Sequence, residues 1–199
     1  MTLRNSIRVA LAGLVLVPGA ALAHPGHEAG AGLAHGFIHP LTGLDHILAM
    51  LLVGLFAYQL GGRALWLLPA TFVAVMGLGG AVALSGAGLS MVEIGIAASV
   101  ILLGAAVALN AKAPVAVAAG VVGLFAMFHG FAHGAEIPAG AGAISYGLGF
   151  MAASALLTGT GIGLGFAIAN AGRKDGLGIV RSIGSLAAVA GVGLLVGIV

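Results

Sequence analysis

This 199-residue chain contains no cysteine. That excludes disulfides, thiolate zinc sites, iron–sulfur clusters and cysteine redox chemistry, and it leaves the compartment unspecified. Charge is nearly as scarce. Asp, Glu, Lys and Arg together make up 6% of the residues, against about 25% in an ordinary soluble domain. So few charges cannot cover a water-facing surface, which rules out the usual soluble globule. The pI near 9.5 does not point to nucleic acid, because the basic residues are scattered and form no patch. A phosphate-binding G-x-x-x-x-G-K-[ST] loop is also missing, so this chain is not expected to hydrolyse nucleotide itself. Neither an enzyme activity nor an organic cofactor is expected.

What fills the sequence instead is apolar: 61% of residues are hydrophobic and the mean hydropathy is +1.22. Apolar runs without period-two alternation exclude a β-barrel and predict an all-α, polytopic membrane helix bundle. Residues 1–23 have the form of a cleavable signal peptide. Arg4 and Arg8 precede a short apolar core, and Ala21-Leu22-Ala23 is a small-residue cleavage site. Cleavage there would start the mature chain at His24, with a His-containing leader over 24–36 outside the membrane. The membrane domain would then cover 37–199.

Six spans are predicted, at 37–58, 65–84, 91–109, 115–133, 144–169 and 179–199, joined by short loops. With the mature N-terminus outside, Arg63, Lys112, Arg173, Lys174 and Arg181 all fall on or near the inner face, as the positive-inside rule requires. This places the protein in a bacterial inner membrane. The glycines of the last two spans (159, 161, 163 and 165; 184, 191, 193 and 197) are read as small residues that let helices approach closely. Three spans per half give the halves opposite topology, the plan of an inverted repeat.

Ionisable groups are costly inside a membrane, so each marks a candidate functional site. They are His39, Asp45 and His46 in the first predicted span, Glu93 in the third, and His129, His133 and Glu136 in the fourth. At about 100° per residue, His129, His133 and Glu136 share one helix face. His39 and His46, seven apart, are expected on one stripe of a single helix, with Met50 further along it. Asp45 would point elsewhere, either to orient a histidine or to bind a neighbouring helix. The first span descends from outside and the fourth rises towards it, so both polar groups reach similar depth. Several imidazoles with carboxylates and no thiol suit Ni²⁺, Co²⁺ or Zn²⁺ rather than Mg²⁺ or Cu(I). His24, His27, Glu28 and His35 repeat the theme in the leader and would capture a metal outside.

Two longer motifs carry these residues: HPLTGLDHILAM at 39–50 and FHGFAHGAE at 128–136. They resemble the paired signatures HPxxGxDHxxxM and FHGxAHGxE of the HupE/UreJ family of nickel or cobalt permeases, and the likeness extends over essentially the whole chain. The first motif is also similar to the HxxxxDH motif of a separate nickel/cobalt transporter family, but it is one residue longer here, so that family's residue roles are not carried over. The resemblance implies a metal site of His39, Asp45, His46, His129, His133 and Glu136, with Ni²⁺ or Co²⁺ as transported substrate. A haem-binding membrane subunit and a non-transporting accessory protein for a nickel enzyme remain as alternatives. The expected partners are the metal ion and the lipid bilayer, with a homo-oligomer left open.

Overall fold

A computed structural model describes residues 28–138, 140–171 and 176–198. The expected signal peptide, His24 and His27 lie outside the described residues. Within them the chain is entirely helical: α1 (Glu28–Ile38), a 3₁₀ turn (His39–Leu41), α2 (Leu44–Leu60), α3 (Ala64–Leu84), α4 (Val92–Ala108), α5 (Val115–Ala135), α6 (Ala143–Asn170) and α7 (Gly176–Leu195).

Helices of this composition are apolar on every side, as expected when lipid rather than water surrounds them. Trp66, Leu78, Leu124, Leu156 and Leu186 accordingly face outward. The α3, α5, α6 and α7 helices are long and apolar enough to cross a bilayer, and the bent pair α1–α2 makes a fifth candidate. The remaining helix, α4, is shorter, at 17 residues.

The start of the bundle differs from the expectation. The glycine-rich stretch read as a leader is helical from Glu28, and the first span is broken rather than continuous. Its two parts meet at 79°. Pro40 sits in the 3₁₀ turn, where its fixed φ and missing N–H end one helix. Gly43 then takes an extended conformation (φ −97°, ψ 125°) as the N-cap of α2. The side chain of Glu28 lies outside the described residues, and His35 is exposed on α1.

The α2 helix runs through the centre of the bundle. Met50, Leu52, Val53 and Leu55 meet Leu68, Phe72 and Met76 of α3, Val100, Leu103 and Val107 of α4, and Val122 and Ala126 of α5. The most extensive pairings are α3 with α5, α4 with α7, and α6 with both α1 and α2. Half of the glycines read as contact residues lie in such seams. Gly161 and Gly165 meet α2, whereas Gly159 and Gly163 have no neighbour within 4 Å. Gly184 and Gly191 meet α4, and Gly197 meets nothing. The distinction follows the helical period, since positions four apart share a face and positions two apart do not.

The two ends of the bundle differ chemically. At one end Lys112 Nζ donates to the Gln59 carbonyl at 3.1 Å and Arg181 Nε to the Ala108 carbonyl at 2.7 Å, closing the C-terminal ends of α2 and α4. The histidines lie at the other end, by the start of α2 and the end of α5.

Candidate metal centre

Antiparallel helices bring their opposite termini together. The start of α2, the end of α5 and the first turns of α6 therefore meet, and the two sequence motifs converge there. His46 is in the first turn of α2, and His129 and His133 are in the last two turns of α5. His39 stands in the 3₁₀ turn, so it shares no helix stripe with His46. The bend nevertheless turns it back into the cluster. Ring centroids are 4.7 Å apart for His39–His133, 4.2 Å for His46–His133 and 5.3 Å for His46–His129.

The site has a half-open part and a buried part. On the open side His39 Nε2 lies 3.5 Å from Glu136 Oε2, and Glu136 caps the end of α5. One ligand atom each from His39, His133 and Glu136 can be chosen so that all lie within 4.8 Å of one another. Ligands at about 2.0–2.2 Å from a shared ion stand roughly 3–3.5 Å apart, so small side-chain movements would close this set around a cation. On the buried side His46 and His129 pack against each other. His129 is fully buried and His133 is 3% exposed.

Asp45 is paired with its neighbour His46. Its Oδ1 accepts the His46 backbone N–H at 2.9 Å and lies 2.5 Å from His46 Nδ1. A carboxylate accepts, so the proton of a neutral His46 sits on Nδ1 and the lone pair on Nε2. Among the described residues, four ring nitrogens are buried without a hydrogen-bond partner: His46 Nε2, His129 Nδ1, and both nitrogens of His133. Buried polar atoms are normally paired, and unpaired ones cost free energy. Clustered imidazole nitrogens are the donors that a borderline divalent cation requires.

Several neighbours were not singled out in the sequence. Phe150 lies 4.0 Å from His133 between ring centres, Phe72 lies 5.7 Å from His129, and Tyr146 lies 5.9 Å from His39. Ser99 of α4 lies 3.2 Å from His129 Nε2. No local signal distinguishes these residues, since an aromatic or a serine in an apolar helix is ordinary. A cavity of about 270 Å³ adjoins His133, lined by Met76, Gly80, Gly134, Tyr146 and Met151 among others.

Two accessory candidates fall elsewhere. Glu93 is exposed at the start of α4, and no hydrogen bond or ion pair joins it to the cluster among the described residues. Met50 is fully buried in the core of α2, one turn beyond His46.

Residues 12–194 match the family model described as HupE / UreJ protein. A curated relative, Protein HupE of Rhizobium leguminosarum bv. viciae, is 47% identical over 193 residues, covering 97% of this chain and 98% of the relative. No solved structure matches the chain significantly.

Proposed function

The chain belongs to the HupE/UreJ family, and from that premise we propose that it is a permease that takes Ni²⁺ or Co²⁺ into the cell through the histidine cluster. The family is of transporter type and linked to nickel and cobalt uptake, and the apolar helices are those of a multi-pass membrane protein. The observation that carries the proposal is the convergence of four imidazoles with Asp45 and Glu136 at one end of the bundle. His39, Asp45, His46, His129, His133 and Glu136 are the residues assigned to the metal path. The direct ring contacts favour a bare cation over haem, whose macrocycle would have to lie between the histidines it joins.

In this reading six segments cross the membrane. The α4 helix, at 17 residues, stands at the lower limit of the length that spans, about 17–25 residues. The end carrying Lys112 and Arg181 faces the cytoplasm in a bacterial inner membrane, so the histidines open outward. An inverted repeat is supported by the pairing of helices. The α2 helix lies on α6 and α5 lies on α3, and these contacts exchange when the halves are swapped. The α4–α7 pair maps onto itself. The pentapeptide VGLFA occurs at 53–57 and again at 122–126. Gly54 of the first copy meets α6, and Gly123 of the second meets α3.

An inside-negative potential favours entry of a divalent ion by about 4.6 kcal/mol per 100 mV, twice the value for a single charge. Cells expressing the protein should accumulate radioactive nickel or cobalt, and His46→Ala should lower the initial rate roughly tenfold or more. Equal uptake by variant and wild type at low metal concentration would remove the proposal.

Protons compete with metal for an imidazole lone pair. An ordinary histidine, with a pKa of about 6.5, is roughly 97% protonated at pH 5. Uptake should therefore fall as the pH is lowered, and it should fall in proteoliposomes without a proton gradient as well. Uptake that rises as the pH is lowered from about 8 to about 5 contradicts imidazole ligation.

A further inference from the structure

We propose that the cluster holds two metal stations in series, and that Ser99 sets up the inner one by holding His129 in a single tautomer. The inference rests on the permease reading and adds an inner site and a positioning residue to it.

The Ser99 hydroxyl has one proton and two close neighbours, the Ile96 carbonyl at 2.6 Å and His129 Nε2 at 3.2 Å. The short contact to the carbonyl takes the proton, because a carbonyl can only accept. Ser99 Oγ must then accept from His129, which places the imidazole proton on Nε2 and the lone pair on Nδ1. Both residues are fully buried, so water does not offer an alternative partner. Asp45 does the complementary thing to His46, leaving its lone pair on Nε2. The two atoms left with lone pairs, His129 Nδ1 and His46 Nε2, are buried and have no hydrogen-bond partner among the described residues.

Spacing agrees with ligation of one ion. Two imidazoles bound at about 2.0–2.1 Å to the same cation have ring centres roughly 4.5–5.2 Å apart. The centres of His46 and His129 are 5.3 Å apart. His133 stands between the stations. Its ring touches His39 on the outer side and His46 on the inner side, and neither of its nitrogens is tied to a partner. Turning that ring breaks no hydrogen bond, so His133 can pass an ion from the His39–Glu136 station to the His46–His129 station. The outer station includes a carboxylate and is partly exposed, which suits capture from water. The inner one offers nitrogen alone, a donor set that Mg²⁺ and Ca²⁺ bind poorly and Ni²⁺ and Co²⁺ bind well. Discrimination against the abundant hard cations therefore falls to the inner station.

The test is a cobalt(II) titration of the purified full chain in detergent, read by visible d–d absorption and by competition with a chelator. Wild type should show two classes of cobalt. Ser99→Ala should weaken one class about 10–100-fold, the usual effect of losing an outer-shell partner, and should remove its absorption bands. Ser99→Thr, which keeps the hydroxyl, should restore those bands. Glu136→Gln should weaken the other class only, and excess Mg²⁺ should displace cobalt from that class alone.

A folded Ser99→Ala protein with wild-type cobalt spectrum and affinity overturns the inference while leaving the permease reading intact. If wild type binds neither cobalt nor nickel, the permease reading fails and this inference fails with it. A second measurement does not depend on any variant. Nitrogen-15 NMR of histidine-labelled, metal-free protein should show His129 protonated at Nε2 and bare at Nδ1, and the reverse tautomer overturns the proposal.

Discussion

His133→Ala is expected to abolish nickel and cobalt uptake and to weaken binding by more than the 10–100-fold that an outer-shell partner is worth. His133 is the side chain that joins the half-open side of the cluster to the buried side. Its ring meets His39, His46 and Phe150, and it contributes to the ligand set with Glu136. Losing it therefore removes a donor from the half-open side and separates that side from His46. The change also leaves a hole next to a cavity that is already present, so some loss of stability is expected alongside. His133→Gln separates the two effects, because it fills most of the space without supplying an imidazole. Uptake should stay absent in His133→Gln while thermal unfolding in detergent returns towards wild type. Substantial uptake by either variant would mean that the ion travels by another route.

The second large effect is structural. Gly130 lies in α5 next to His129, and a Cβ there would meet the backbone carbonyl of Met76 in α3. Backbone cannot move aside as a flexible side chain can, so Gly130→Val must push α3 and α5 apart along the most extensive helix pair of the bundle. Overpacking of this kind costs about 1–3 kcal/mol and sometimes more. The displacement would also shift His129 and His133, which are carried on the same helix. Expected results are a lower unfolding temperature in detergent, poor expression and loss of uptake. Gly120→Ala is the control, because that glycine of α5 has nothing within 4 Å and alanine favours helix by roughly 1 kcal/mol. If both variants unfold like wild type, the close approach of α3 and α5 is not what holds the site.

The positions of the helices could be read almost directly. Residues 65–84 and 144–169 were expected to be spans, and α3 and α6 match them within a residue at each end. Their length and uniform apolarity left no other structure that satisfies the backbone. The motif residues were legible for the same reason, since a histidine or carboxylate in such surroundings stands out. The structure departs from the sequence pattern where short-range geometry decides. Pro40 lies within a 3₁₀ turn and the chain restarts at Gly43, which breaks the first predicted span. The stripe drawn through His39 and His46 therefore does not exist. The expected leader over 24–36 is helical from Glu28. A Cβ on Gly36 would meet the Tyr146 carbonyl, and one on Gly149 would meet that of Leu33, so small residues on both sides let α1 pack closely against α6.

By itself the sequence determined the solvent, the helical class, the family signatures and the identity of the polar groups, because each depends on local composition or on a run of neighbouring residues. Only the tertiary structure decided which groups meet. Ser99 faces His129 from thirty residues away, and His39 reaches His133 through a 79° bend. Such contacts depend on how helices cross and on where a backbone turns, and those follow from packing over the whole bundle rather than from any one segment.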